Sequence, residues 1–360
     1  MKLLVDLNHP AHVHYFRNCI RILRDRGHQI VITARNRFPV LELLAAYGET
    51  GFDRGRGSEK MIGKLLYLPR ADWRLWKIAR RTRPDLFLSF GTPYPNQVAW
   101  LMRKPGLNFQ DTENAGLMLA LTRPFASVYC TPRCYRRDLG RKHVRFDGYM
   151  ELSYLHPAYF TPDSSVLDEL GLGREDRYVV LRFVSWQATH DLGHRGLSLA
   201  NKREAVRRFS RHARVFISAE GELPEDLRPY RIPLPPERLH HALAFAALLY
   251  GESATMASEC AVLGTPAIYL DDEGRGYTDE EEQRYGLVFN FTESPQDQES
   301  SLQRGETLLT TADPREQWQR RRQRLLAETI DVTAFMVWFV ENFPRSLELQ
   351  TPSGSNPAHV

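Results

Sequence analysis

The 360-residue chain is poor in cysteine and lysine and has no long apolar run. Its four cysteines, Cys19, Cys130, Cys134 and Cys260, are too few for a disulfide scaffold, and Cys130 and Cys134 lack the second pair of a zinc ribbon. They read as reduced, mostly buried thiols. No stretch approaches the ~18 apolar residues of a spanning helix. The opening Met1-Lys2-Leu3-Leu4-Val5-Asp6 meets an acid too early for the apolar core of a signal peptide. A soluble, cytoplasmic protein is expected. Gly (23) and Pro (22) stand near background, which excludes collagen-like and low-complexity classes.

An excess of one charge is also missing. The net charge is +4, from 48 basic and 44 acidic residues, and only seven of the basic ones are Lys. An Arg-rich surface fits phosphate or carboxylate recognition, and equally a codon bias of the source genome. The basic runs Arg80-Arg81, Arg136-Arg137, Arg207-Arg208 and Arg320-Arg321-Arg322 are scattered, with no nucleic-acid-binding signature beside them. No nucleic-acid partner is expected.

What is present is a repeated alternation. Leu3 to Leu7 suits a buried strand, Asn8-His9-Pro10-Ala11 punctuates it, and Val13, Phe16, Ile20 and Leu23 follow at helical spacing. Gly27 ends that helix and Ile30 to Thr33 forms a second strand, so the first 35 residues make a βαβ unit with a parallel sheet. Strands at 86–90, 107–109 and 127–129 and helices near 73–82, 95–102 and 114–122 continue the series. Residues 148–162 carry Gly, two Pro and several aromatics without a period, and the domain junction is placed there. A second series follows, with strands at 178–184, 214–218, 246–250, 267–270 and 287–289. Its helices fall at 199–212, 236–245 and 254–263. Residues 314–342 read as helix able to return to the first domain, and 345–360 as a frayed tail. The division is 1–150, 151–344 and tail. The fold class is α/β, with two doubly wound Rossmann-type domains facing across a cleft and ligands at the carboxyl ends of the strands.

The richest motif is Gly251-Glu252-Ser253-Ala254-Thr255-Met256-Ala257-Ser258-Glu259, followed by Gly264-Thr265-Pro266. A strand turns on Gly and opens a helix whose first turn carries Ser253 and Thr255, a place suited to an anion. Glu259, one turn on, can aim back into the same pocket and accept two hydrogen bonds from a ribose diol. The plain alternative is a helix cap and a solvated acid.

This stretch resembles the nucleotide-sugar pocket of the GT-B superfamily, as in the glycosyltransferase that adds N-acetylglucosamine to lipid I and in the non-hydrolysing UDP-N-acetylglucosamine 2-epimerase. The resemblance puts Ser253 at the phosphate position and Glu259 at the ribose position. Ala254 departs from it, standing where Gly lets the backbone approach the pyrophosphate most closely. A closer resemblance, over nearly the whole chain to about residue 340, is to a family of unknown function within that superfamily. Its marks are His9-Pro10-Ala11-His12-Val13-His14, Arg182-Phe183-Val184-Ser185-Trp186 with His190-Asp191-Leu192-Gly193-His194, Ser218-Ala219-Glu220-Gly221-Glu222-Leu223-Pro224, and Thr255-Met256-Ala257-Ser258-Glu259.

The resemblance implies an enzyme using a nucleotide-activated sugar, with uridine inherited from the superfamily. His9, His12 and His14 then lie on the acceptor side, with His12 as general base for an acceptor hydroxyl; the alternatives are capping or a metal site, though no carboxylate triad supports the latter. Arg182 is placed to neutralise a diphosphate, with Ser185 and His190 beside it. Gln110-Asp111-Thr112-Glu113-Asn114-Ala115-Gly116 resembles the epimerase's Glu-Ala-Gly element, making Asp111 and Glu113 acid/base candidates. Glu220 either faces the nucleotide base or sits in a plain turn, and His240-His241 reads as packing. Glycosyl transfer in glycan or cell-envelope synthesis is the first expectation, to a glycan or lipid-linked acceptor and without metal or other cofactor. Epimerisation of the sugar and non-catalytic nucleotide-sugar binding are the rivals.

Overall fold

A computed structural model describes residues 1–57, 61–184, 196–311 and 314–349. It divides into two compact units: Met1–Tyr159 with the chain from Thr329 onward, and Phe160–Glu328.

The first unit begins with β1 (Lys2–Leu7), α1 (Pro10–Asp25), β2 (Gln29–Ala34), α2 (Val40–Ala46), β3 (Phe52–Asp53) and α3 (Met61–Thr82). It continues with β4 (Leu86–Phe90), α4 (Pro93–Leu101), β5 (Gly106–Phe109), α5 (Gly116–Thr122), β6 (Val128–Pro132), β7 (His143–Phe146) and α6 (Leu152–Leu155). The strands form one parallel sheet in the order β3-β2-β1-β4-β5-β6-β7. Leu3, Leu4, Val5 and Leu7 in β1 and Phe87 in β4 are fully buried, as strands covered on both faces require. The order reverses between β1 and β4, which opens a crevice at their carboxyl ends.

The second unit has α7 (Val166–Glu169), β8 (Tyr178–Phe183), α8 (Leu199–Phe209), β9 (Arg214–Ala219), α9 (Leu239–Phe245), β10 (Leu248–Gly251) and α10 (Ala254–Leu263). After these come β11 (Ala267–Leu270), α11 (Gly276–Glu280), β12 (Val288–Phe291), α12 (Pro295–Thr310) and α13 (Pro314–Glu328). Its sheet is parallel in the order β12-β11-β10-β8-β9. The chain then returns to the first unit as α14 (Val332–Glu341) and α15 (Arg345–Leu349).

Several readings shift. The sequence boundary at 150/151 falls inside the first unit because α6 is packed there: Tyr154 and Leu155 are fully buried, and Asn18 Nδ2 donates to the Ser153 carbonyl at 2.9 Å. The helical stretch 314–342 is two helices, and α14 is fastened to the first unit by Thr333 Oγ1 donating to Ser153 O at 2.6 Å and Ile330 N to Asp147 O at 2.8 Å. Residues 345–349 are not frayed: Ser346 is buried and its hydroxyl donates to Phe339 O at 2.8 Å. Helix α3 starts twelve residues before the sequence expectation of 73, its periodicity concealed by Gly63 and an internal Pro69. Short β3, short β7, α2 and α12 were not legible as elements.

Candidate functional site

In the first unit the site grows from the turn between β1 and α1. His9 has extended backbone and caps α1, its Nδ1 accepting Ala11 N–H at 3.3 Å, and Pro10 opens the helix with its φ already set. His12 N–H in turn donates to His9 O at 3.0 Å. The first-turn amides at Ala11 and His12 are thus satisfied within the turn. His12 is buried, and its ring lies against Phe90 (5.0 Å) and Tyr15 (6.3 Å). Its Nδ1 accepts the Asn8 backbone N–H at 3.2 Å. Burial first, then the charges of His9, Arg54 and Arg37, hold the His12 pKa well below the usual imidazole value. The ring is therefore neutral at pH 7 and carries its proton on Nε2, the nitrogen away from Asn8. In that state His12 donates a hydrogen bond instead of accepting a proton.

Tyr15 is one turn beyond His12 and shares its face. Its hydroxyl stands 3.4 Å from Asp111 Oδ2 and 3.3 Å from Glu151 Oε1. Asp111 follows the end of β5 and Glu151 precedes α6, so three segments converge on one phenol oxygen. All three side chains are buried. A phenol has one proton, so it serves one carboxylate at a time, and any proton held by the other can be exchanged through it. Thr112 Oγ1 also donates to Asp111 Oδ1 at 2.8 Å. Glu113, likewise buried, accepts Arg136 N–H at 3.1 Å through Oε1, while its Oε2 has no hydrogen-bond partner among the described residues. His14 goes elsewhere. Two residues from His12 it faces the other side of α1, stacked on Tyr154 at 5.3 Å with Nδ1 3.3 Å from the Tyr47 hydroxyl. The three histidines do not converge, and no metal-holding group of His, Cys, Asp or Glu occurs among the described residues.

A buried ion pair fixes this corner. Arg54 is fully buried, with Nε donating to Asp6 Oδ1 at 2.9 Å, one terminal nitrogen to Asn8 Oδ1 at 2.9 Å and the other to the Tyr67 hydroxyl at 3.1 Å. The Tyr94 ring lies 4.5 Å from the guanidinium, and Thr33 Oγ1 also donates to Asp6 at 2.8 Å. The planar fork thus ties the ends of β1 and β3 together and places Asn8, whose amide sets the His12 tautomer.

In the second unit, Arg182 is the penultimate residue of β8 and donates to two groups at the end of β9: Ser218 Oγ at 3.0 Å and Glu220 Oε1 at 2.6 Å. Glu220 thus faces Arg182 from the bend that follows β9. Gly251, paired with Arg182 in the sheet, must be Gly, because a Cβ there would come within 2.0 Å of the Arg182 carbonyl oxygen. Ser253 caps α10, its Oγ accepting Met256 N–H at 3.3 Å, and Ser253, Ala254 and Thr255 remain partly exposed. Gly264 closes α10 at φ 79° in the left-handed region. Glu259 is buried and 2.9 Å from His240 Nε2, so the histidine read as packing holds the expected ribose carboxylate. Ser185, His190, Asp191 and His194 lie outside the described residues.

Sequence reasoning missed Tyr15, Glu151, Arg54 and Glu252. Glu252 accepts Val184 N–H at 3.0 Å and Leu197 N–H at 2.6 Å, and Lys202 Nζ lies 3.3 Å away. Only Glu252 carried a signal, as an acid directly after a strand-ending Gly.

Among solved structures the chain is similar to S. aureus MnaA with UDP (TM-score 0.70, 12% identity, covering 99% of this chain and 100% of that one). It is also similar to the Methanocaldococcus jannaschii UDP-GlcNAc 2-epimerase in complex with UDP-GlcNAc and UDP (0.64, 14%, 91% and 99%). The spinosyn rhamnosyltransferase SpnG with its aglycone gives 0.61 at 15%, covering 95% and 100%. At such identities the likeness shows the fold, which is GT-B-like, with two parallel-sheet Rossmann-like domains. An uncharacterized M. jannaschii protein is 22% identical over 274 residues, 73% of this chain and 80% of its own length. Residues 1–273 match the model of a family described as protein of unknown function DUF354, and the chain belongs to that family.

Proposed function

We propose that this protein is an enzyme acting on a nucleotide-activated sugar, most simply a UDP-sugar, and that its first unit moves protons. The observation that carries this is the Tyr15 hydroxyl set between Asp111 and Glu151. In this reading Asp111, nearer the open end of β5, takes a proton from the substrate. Tyr15 takes that proton from Asp111 and passes its own to Glu151. Neutral His12 donates from Nε2 to a substrate oxygen where negative charge grows. The UDP-bearing fold neighbours support the nucleotide. Arg182 and the start of α10 are the groups suited to its phosphates, and Glu259, oriented by His240, suits its ribose.

Two reactions fit such a set. Proton storage on paired carboxylates favours an epimerase-like course, in which the nucleotide leaves, the sugar loses a proton, and both return. Glycosyl transfer needs a single base and an acceptor, and His12, whose Nδ1 already accepts the Asn8 N–H, is not set to be that base. The test is direct. Purified protein is incubated with UDP-N-acetylhexosamines alone and the mixture resolved by chromatography. A new epimer or free UDP without acceptor is the expected result, and turnover only after acceptor is added restores transfer. UDP that neither binds nor raises the melting temperature overturns the nucleotide-sugar reading itself.

A further inference from the structure

One face of the first unit is used by none of these groups. Helix α3 buries Ala71, Leu75 and Ala79 against Leu4, Phe87 and, from α4, Val98. Its opposite side presents Arg70, Trp73, Lys77, Arg80 and Arg81 at helical spacing, all exposed, while Arg74 among them donates Nη1 to the Arg54 carbonyl at 3.2 Å. No acid shares that arc, since Asp72 lies toward the interior and is half-buried. Trp73 is 54% exposed, with Lys77 Nζ 3.5 Å from its ring centre. Neighbouring α4 ends in Trp100 and Leu101, 60% and 61% exposed, followed by exposed Arg103 and Lys104. The acid near this edge is Asp85, 3.7 Å from Lys104.

The helix ends add a second observation. Arg83 and Arg103, just past α3 and α4, sit at φ 54° and 55°. Gly enters this left-handed region without strain and Arg does not. A cation complements a helix carboxyl end from anywhere in its last turn, so the dipole does not require Arg at the strained position. Strain kept just past the carboxyl ends of two adjacent helices points to use of the charge.

We propose that this face docks on an anionic phospholipid bilayer. Cations draw the protein to the headgroups, and Trp73, Trp100 and Leu101, set among the cations, enter the interface, where an indole buries its ring and keeps its N–H wet. Among the described residues no helix is long and apolar enough to cross a membrane, so attachment through this face is peripheral. The proposal stands apart from the nucleotide-sugar reading, since no residue of either candidate site belongs to the face.

The test is co-sedimentation of the full chain with vesicles of phosphatidylcholine alone and with roughly 30% phosphatidylglycerol added. Binding to the anionic vesicles only is expected, falling at least tenfold as salt rises from about 0.1 to 0.5 M. The triple variant Arg70→Glu, Lys77→Glu, Arg81→Glu should no longer sediment. The pair Trp73→Ala, Trp100→Ala should bind roughly tenfold more weakly, a loss of apolar insertion. In wild type, brominated lipid should quench tryptophan fluorescence, a readout independent of whether the variants fold. Absent binding, absent quenching, or a folded triple variant that binds like wild type overturns the proposal. So does an oligonucleotide that binds the face when anionic vesicles do not.

Discussion

The Asn8 backbone N–H donates to Nδ1 of His12 at 3.2 Å, and this bond leaves Nε2 of a buried, neutral imidazole to carry the proton. In the proposed reaction a donor there would lower the energy of developing negative charge and do little for nucleotide binding. His12→Ala should therefore lower kcat by about a hundredfold while the Kd for UDP stays within about twofold. The pH sign follows from the lowered pKa. The native ring stays neutral below pH 6.5 while the unfolded ring takes up a proton, so His12 makes the fold less stable as pH falls through 6.5. His12→Gln should melt relatively better at pH 5 than at pH 8, and an equal difference at both would show that the ring titrates normally.

Tyr15→Phe keeps the packing on Phe90 (ring centres 4.8 Å) and removes a hydroxyl that Asp111 and Glu151 share. If the hydroxyl relays a proton, turnover should fall about tenfold to a hundredfold and its pH optimum should move, with KM little changed. A lower melting temperature with a wild-type pH profile would make Tyr15 a packing residue.

The doubly wound class was legible because β1, β4 and β8 are mostly apolar runs, each broken near its carboxyl end by one polar residue (Asp6, Ser89 or Arg182), as buried parallel strands with a site at that end require. Short β3, with two residues, and β7, with alternating burial, carry too little of that signal. Within the sites, residues adjacent in sequence were found and residues adjacent only in space were not. Asp111 and Glu113 stand in a recognisable strand-to-helix turn. Glu151 reaches Tyr15 across 136 positions, and Arg54 reaches Asp6 across 48, separations that no local period encodes. His240 was set aside for a related reason: on an Ala/Leu helix it reads as packing until α10 brings Glu259 to it.

Arg182 donates to Ser218 and Glu220 through its two terminal nitrogens. If a diphosphate claims it, Arg182→Ala should weaken UDP binding at least tenfold and leave uridine binding nearly unchanged, as measured by calorimetry. Equal weakening of both ligands would show that the arginine acts through the fold of the β8 end.

Asp72 supplies the last prediction, in a setting that the proposed reaction does not touch. Burial, offset by Arg54 and reinforced by Asp6, raises its pKa to about 7, and its Oδ1 has no hydrogen-bond partner among the described residues. The native carboxyl thus keeps its proton between about pH 4 and 7 while the unfolded one gives it up. Its contribution to stability is complete below about pH 4 and is lost as pH rises through 7. A one-unit shift is worth about 1.4 kcal/mol when fully felt, but the side chain is only half-buried, so solvent screening leaves roughly 1–2 kcal/mol in total. Asp72→Asn stays neutral throughout. It should match wild type in melting temperature at about pH 3.5 and exceed it by about 2–4 °C at about pH 8.5. An asparagine variant that gains nothing at pH 8.5 would place the ordinary carboxylate pKa at this position and remove the alkaline weakness assigned to it.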